Sequence, residues 1–460
     1  MSDAYDPYHN GSLWFDGLDA IPQPLPAELP ERVDVAIVGG GYTGLWTAYY
    51  LKRAEPTLDV AVFESDVAGF GASGRNGGWC IGAAWGTERL LADPATRSRG
   101  LALMRSLFDT VDEVGRVCQA ENIDCHYVRG GTLRVATAAF QADRQRRELE
   151  RLQALGFGDA DFRWLDADAA RGRINLSSNH GALHFAHCAA IQPARLVRGL
   201  ADTVRGLGVR VLEATPVTRI EPGHLETLRG RVRAGRILRA TEAYTASLRG
   251  ERRTLLPVYS MMVATAPLPD SAWDDIGLAG RETFGDDRRL VIYGQRTLDN
   301  RLALGGRAGY RFGSERRRTV SADDGAVQRV ATLLRELLPQ LADHPITHGW
   351  GGVLGVPRHW RPCVTFDPRS GLGWAGGYVG EGVAASNLAA RTLTDLVLER
   401  TSALTDLPWV DDVPRRWEPE PLRWLGAKAI QAIGQRADRE ELEHDRPSRF
   451  WGGLFEKIAR

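Results

Sequence analysis

The stretch DVAIVGGGYTGLWTAYYLK, residues 34–52, followed by VAVFE at 60–64, decides the fold. Val33 to Val38 is a short apolar, β-branched run of the kind that forms a strand buried on both faces. Gly39, Gly41 and Gly44 follow as G-x-G-x-x-G, and a helix-like stretch from Leu45 ends before Pro56. Asp59 to Phe63 predicts a second buried strand, with Glu64 standing 20 residues past Gly44. The mechanics are specific: Gly39 permits the tight turn, Gly41 admits a pyrophosphate to the backbone, and Gly44 lets helix and strand pack closely. The helix N-terminus offers free N–H groups, and the glutamate accepts from ribose hydroxyls. With 51 glycines in 460 residues the motif alone arises easily by chance. Strand, helix and acid around it turn it into a dinucleotide site, and the glutamate suits either NAD or FAD.

Two further glycine clusters separate those cofactors. GFGASGRNGGW at 69–79 holds Ser73, Arg75 and Asn76, and WAGGYVGEGVAASNLAARTL at 374–393 places Gly376, Gly377, Gly380 and Gly382 before a long helix. An NAD domain needs neither loop. The spacing G-x-G-x-x-G recurs at 69–74 and at 371–376, within and beside these loops, so it marks no separate nicotinamide-binding unit. Loops of this composition can surround a long ligand, which favours FAD, although glycine clusters also serve as plain turns.

The rest of the chain bounds the problem. Its 58 basic and 58 acidic side chains cancel, which argues against a nucleic-acid partner. Lysine occurs only at 52, 428 and 457, so 55 of the 58 basic residues are arginine and any single arginine says little. Five scattered cysteines without a CxxC pair fit a reducing compartment. The opening residues lack a signal-peptide pattern and no apolar run approaches the ~20 residues of a membrane span, so a cytoplasmic protein is expected. Helices are predicted at 97–121 and 325–338, and strands at Thr132–Val135, Val258–Ala264, Leu290–Tyr293 and Leu302–Leu304. The last fifty residues begin as a loop and continue as charged helix. His184, His187 and Cys188 lack a second ligand cluster, so no metal site is expected.

The motif at 34–45, GASGRNGG at 71–78, RATEAYT at 239–245, PVYSMMVAT at 257–265, RLALGGR at 301–307, WGG at 350–352 and AGGYVGEGV at 375–383 together resemble the D-amino-acid-oxidase-type FAD oxidoreductases. Within them the chain is most similar to the gamma-glutamylputrescine and aminophosphonate oxidoreductase branch. The resemblance implies an α+β fold in which a Rossmann-type FAD-binding domain is interleaved with a substrate domain on a large, mostly antiparallel sheet. The expected partition is a lead-in at 1–32, FAD-binding segments at 33–95, 186–250 and 346–410, substrate segments at 96–185 and 251–345, and a helical extension at 411–460. It also implies that Gly39, Gly41, Gly44 and Glu64 bind the ADP half, and that Ser73, Arg75, Asn76 and Gly78 line the pyrophosphate and flavin. Val217 would sit by the adenine, Thr241 and Tyr244 near the dinucleotide, and Gly377, Gly380, Gly382, Val383 and Ala384 beside the flavin ring. The helix after Gly382 would point its positive end at the flavin N1–C2 carbonyl.

Members of the family oxidise C–N bonds of primary or secondary amines and amino acids. The implied reaction passes hydride from the α-carbon to flavin N5 and leaves an imine that hydrolyses to an aldehyde or keto acid. Such a step needs the neutral amine, which for a pKa near ~10 is about 0.1% of the total at pH 7, a cost of about 4 kcal/mol. The catalytic candidates are Tyr259 and Tyr293 on strands, Arg307 at the end of RLALGGR as a clamp for a carboxylate or phosphonate, and His359 in VPRHWRP. Each has a structural alternative, since strand tyrosines pack and arginines pair. Two departures from the family matter. No histidine lies between His9 and His126, which predicts noncovalent FAD. No lysine lies between 52 and 428, where some relatives carry one that assists reaction with oxygen. The electron acceptor is therefore oxygen or a quinone or carrier protein, and the aromatic tail residues Trp417, Trp424, Phe450 and Trp451 would suit either membrane contact or packing on the main body. A third reading is a flavoprotein acting on an amine within a larger molecule.

Overall fold

The computed structural model describes residues 11–20, 23–24 and 27–459. Two eight-stranded sheets dominate it. The first runs Cys363–Asp367, Leu372–Gly376, Gly230–Arg239, Arg32–Val38, Val60–Phe63, Arg210–Leu212, with Val217–Glu221 and His224–Thr227 folded beside Gly230–Arg239. Its central pairings are parallel. Val35, Ala36 and Ile37 of the central strand are fully buried, which is why the run is apolar without alternation. Helices Tyr42–Ala54, Arg97–Ala120, Pro193–Gly206 and Gly382–Val397 share one core with it, through Leu45, Val111, Leu200 and Leu388.

The second sheet runs Ile346–Val356, Leu256–Thr265, Leu302–Tyr310, Ile292–Arg296, Thr283–Asp286, Thr132–Val135, Ala182–Phe185, Phe162–Leu165. All its pairings are antiparallel except Thr283–Asp286 with Thr132–Val135. The α+β architecture of a parallel nucleotide sheet with a mostly antiparallel companion is therefore present.

Several local expectations shift, each for a tertiary reason. The helix expected from Leu45 starts at Tyr42, because Gly41 is its N-cap and the glycine motif forms the first turn. The strand expected at Leu290–Tyr293 is Ile292–Arg296. The N–H groups of Arg289 and Leu290 instead donate to the Asp438 carboxylate in the tail, at 2.9 and 3.1 Å. Leu302–Leu304 extends to Tyr310, paired with Leu256–Thr265 that far and with Ile292–Arg296 as far as Gly306. Ile346–Val356, within a segment expected to bind FAD, pairs along the whole of Leu256–Thr265 in the second sheet.

The tail packs back on this sheet. Helices Leu422–His444 and Arg449–Ala459 form it, Gln431 Nε2 donates to Ala308 O (3.3 Å), and Trp417 Nε1 donates to Val356 O (2.7 Å). Trp417 and Trp424 join a core cluster with Tyr310 and Val356, whereas Phe450 is exposed. Among the described residues, no helix is long and apolar enough to cross a membrane.

The tightest packing sits at the nucleotide turn. Gly39 adopts φ +111°, and a Cβ on Gly44 would stand 2.0 Å from Gly39 O. Backbone cannot yield as a flexible side chain does. Gly44→Ala is therefore expected to destabilise the protein by about 3 kcal/mol or to abolish folding, measurable as a lowered urea midpoint with reduced flavin content.

Candidate functional site

Four segments from distant parts of the sequence meet between the two sheets. The first is the nucleotide turn. Gly40 N–H donates to Glu64 Oε2 at 2.7 Å, while Asp66 N–H and the Ser65 hydroxyl donate to Oε1 at 2.9 and 3.1 Å. Glu64 is half-buried, and loss of water around its carboxylate pushes its pKa up. Among the described residues it has no cationic partner, so ribose hydroxyl donors match what this carboxylate lacks. Gly41 makes room for Ser73, whose Oγ would lie 2.8 Å from a Cβ there. Ser73 Oγ accepts from Tyr42 N–H at 2.9 Å, which leaves the hydroxyl proton available to an anionic ligand at the helix start. The turn thus fits the ADP half of a dinucleotide. Val217 begins a strand two residues after Thr215, whose N–H donates to Glu64 O at 2.7 Å, so it belongs to the same end of the site.

The second segment is the 69–79 loop. Arg75 is buried, with its guanidinium 4.4 Å above the Phe70 ring. Its Nε donates to Phe70 O (2.8 Å) and its Nη1 to Arg318 O (2.9 Å) and Gly351 O (3.3 Å). Asn76 Oδ1 accepts from Gly78 N–H at 2.8 Å, and its Nδ2 donates to Ser73 O at 3.0 Å. These two side chains, read from the sequence as lining the ligand, spend these hydrogen bonds on backbone: Asn76 within the loop, and Arg75 on the loop and on Arg318 and Gly351 beyond it. Gly78, at φ +72°, passes so close to Gln295 that a Cβ would meet Nε2 at 2.0 Å.

The third segment is the 376–381 loop, whose backbone is left-handed at Gly377 (φ +79°), Val379 (φ +56°) and Gly380 (φ +106°). Positive φ in a β-branched residue is strained and persists only where surroundings enforce it. Here three groups do so. Glu242 Oε1 accepts from Gly377 N–H (2.7 Å) and Tyr378 N–H (3.1 Å), and Oε2 accepts from Gly355 N–H (2.8 Å). Arg307 Nη2 donates to Val379 O at 2.7 Å, and the Tyr378 and Thr43 hydroxyls bond at 3.0 Å. Burial pushes the Glu242 pKa up, opposed by these N–H groups. Gly382, Val383 and Ala384 open the helix Gly382–Val397, and by position the N–H groups of its first turn lack intrahelical acceptors. Nearby, Thr241 precedes the short helix Glu242–Ser247 and bonds Thr245 (2.8 Å), while the Tyr244 ring lies 3.2 Å from where a Gly71 Cβ would be.

The fourth segment is the face of the second sheet. Tyr293 is half-buried and lies against the 69–79 loop, since a Cβ on Gly77 would meet its ring at 2.3 Å. Its hydroxyl is 2.7 Å from Ser260 Oγ, which donates to Gly306 O (3.1 Å). Burial raises the Tyr293 pKa, and Arg307 opposes this. Arg307 itself is half-buried, sits 4.9 Å over the Trp85 ring, and has its pKa lowered by burial. Trp85 in turn contacts Trp360, with ring centroids 5.8 Å apart. Tyr259 is 2% exposed and its hydroxyl accepts from Arg317 N–H at 2.5 Å, which makes it a core residue pinning a loop. His359 has both ring nitrogens engaged: Nδ1 accepts from Arg361 N–H (3.1 Å), so Nε2 carries the proton and donates to Asp412 O (2.9 Å). Of the four catalytic candidates, Tyr293 and Arg307 meet the glycine loops, while Tyr259 and His359 are committed to the protein.

Sequence reading missed Glu242 and Glu381. Both sit inside quoted motifs, RATEAYT and AGGYVGEGV, where glycines and tyrosines drew the reading. An acid embedded in a glycine-rich, otherwise apolar loop was the available signal.

The wider comparisons agree with this geometry. The family described as FAD dependent oxidoreductase matches residues 34–396. The protein called "Probable oxidoreductase OrdL" from Rhizobium meliloti (strain 1021) is 30% identical over 412 residues, covering 86% of this chain and 91% of its own length. Gamma-glutamylputrescine oxidoreductase of Escherichia coli (strain K12) is 31% identical over 392 residues, 82% of this chain and 86% of that one. Among solved structures, glycine oxidase from Geobacillus kaustophilus superposes with a TM-score of 0.70 at 23% identity, covering 84% of this chain and 100% of that one, which speaks to fold alone.

Glu64→Gln is expected to raise the dissociation constant for FAD by about 10- to 100-fold, because hydrogen bonds to a charged acceptor are worth about 1.5–3 kcal/mol. Quenching of FAD fluorescence on titration into apoprotein measures it. Glu242→Gln turns an amide NH2 towards backbone donors, so it should lower unfolding free energy by about 1–3 kcal/mol, read by urea denaturation.

Proposed function

This chain belongs to the FAD-dependent oxidoreductase family and its cofactor is FAD, and on that premise we propose that it oxidises the C–N bond of a primary or secondary amine or an amino acid. When bound, FAD supplies the two-electron acceptor at N5. What the chain contributes is position and charge. The observation that carries the reading is Arg307: it reaches from the strand Leu302–Tyr310 of the second sheet to the 376–381 loop of the first, ending with Nη2 on Val379 O. Val379 O is the one acceptor its guanidinium meets among the described residues, so its remaining N–H donors suit a substrate carboxylate. Trp79 and Tyr293, with ring centroids 6.3 Å apart, supply an apolar wall beside it. Half-buried surroundings of this kind favour the neutral amine that the reaction needs, because burial penalises the ammonium.

FAD would be held without a covalent bond: no histidine occurs between His9 and His126, and Cys80 and Cys363 are fully buried. The gamma-glutamylputrescine oxidoreductase of similar sequence is named for an amine substrate, which supports the class without fixing the molecule. The strand bearing Arg307 has no lysine, so the acceptor of the electrons is best assigned by experiment between oxygen and a quinone or carrier protein.

Anaerobic addition of pooled amines and amino acids to the purified flavoprotein is expected to bleach its visible spectrum. Readmitted air restores the colour within seconds for an oxidase, and a soluble quinone does so where air is slow. A flavin that no pool bleaches would sink the amine reading. Arg307→Met is expected to raise KM for a carboxylate-bearing substrate by about 10-fold or more, the worth of one charge-assisted hydrogen bond, with a smaller change in kcat.

A further inference from the structure

Glu381 is the residue immediately before the helix Gly382–Val397, at the end of the strained loop. It is half-buried, and among the described residues it meets no hydrogen-bond donor and no ion-pair partner. The charged groups acting on it are Arg307, from the strand Leu302–Tyr310, and Glu88, from the short helix Thr87–Ala92. Arg307 does not close on it as a salt bridge, because its Nη2 is held by Val379 O and its plane rests on Trp85. Arg307 Nη2 ends on Val379 O, two residues before Glu381, and 3.7 Å from where a Gly380 Cβ would be, so a guanidinium and a carboxylate with unused bonding capacity flank the same loop end.

We propose that Glu381 is the catalytic residue that receives the amine: its carboxylate binds the substrate's ammonium and takes one proton from it, while Arg307 holds a carboxylate on the same molecule. This rests on the amine-oxidising reading above and narrows it to amino carboxylates. In the step, one N–H bond of the ammonium breaks, one O–H bond forms on Glu381, and the charges +1 and −1 become two neutral groups. The nitrogen lone pair is then free. A bare alkylamine would leave the unused donors of Arg307 without an anion, whereas an amino carboxylate offers a partner of opposite charge to both Arg307 and Glu381.

The titration of Glu381 fits this role. Burial pushes its carboxyl up to about 7, with Arg307 opposing and Glu88 adding to the rise. Below that value it is a neutral acid that neither attracts ammonium nor accepts its proton, and above it is the carboxylate. The rate of flavin reduction at low substrate should therefore climb as pH rises through about 7.

The test uses the flavin-loaded protein and three matched probe series: ω-amino carboxylates from glycine upward in chain length, the corresponding n-alkylamines, and the corresponding n-alkanoates. Perturbation of the oxidised flavin spectrum reports binding, and anaerobic bleaching reports reaction. Expected is an amino carboxylate that binds about 10-fold or more tightly than either single-charge analogue. Glu381→Gln should slow bleaching by about 100-fold or more and flatten the pH profile around 7, with flavin content unchanged; Glu381→Asp should restore part of the rate. Alkylamines that bind as tightly as amino carboxylates overturn the inference on the unmodified protein alone, which keeps it testable if a variant loses its flavin. So does a Glu381→Gln protein that keeps the parent rate and pH profile while amines still bleach it; in that case only this inference falls. No bleaching by any amine removes the wider reading as well.

Discussion

The half-buried carboxylate of Glu242 is the contact on which the site depends. It accepts three backbone N–H groups, from Gly355, Gly377 and Tyr378, and so ties a strand of the antiparallel sheet to the loop that leads into the helix Gly382–Val397. Removing water from an ionised carboxylate is costly unless hydrogen bonds replace it. Here two of the donors, Gly377 and Tyr378, belong to the loop and the third, Gly355, to the strand Ile346–Val356. Each side of the arrangement satisfies the other. The acid fixes the two residues before Val379, which stands at φ +56°, and the loop's N–H groups oppose the rise that burial imposes on the acid's pKa.

Arg307 completes this from the opposite side. Its bond to Val379 O crosses between the sheets, and its face on Trp85 leaves it partly desolvated. A guanidinium suits that place because it keeps its charge when buried and offers several donors in a fixed plane. The close approach of the second sheet to the 69–79 loop has a similar logic. Gly77 and Gly305 lack the atoms that would collide with the Tyr293 ring, so the tyrosine can lie across both. Part of the glycine excess is thus room for aromatic side chains and for a flat ligand.

The nucleotide half was legible because its determinants are local. A central parallel strand is apolar throughout, a tight turn needs glycine, and the acid follows at the next strand's end, all within about thirty residues, the span of one βαβ unit. The second sheet was less legible. The strand expected at Leu302–Leu304 runs on to Tyr310, because Leu256–Thr265 pairs with it that far while Ile292–Arg296 pairs only as far as Gly306. Leu290 reads as a strand, yet its N–H is taken by Asp438 from nearly 150 residues away. Tyr259 and His359 looked like reactive groups because their types are reactive, but a phenol or imidazole whose polar atoms are all bonded to backbone serves as a pin.

By itself, then, the sequence determined the dinucleotide turn, the identity of the cofactor and the family, since those rest on short-range spacing and residue chemistry. Only the tertiary structure decided which acids and bases share a pocket. Glu242, Arg307 and Glu381 are far apart in the chain or hidden among glycines, and their roles arise from what each lacks or gains in water and partners once the sheets close. Solvation and long-range pairing are properties of the folded arrangement, and no spacing along the chain encodes them.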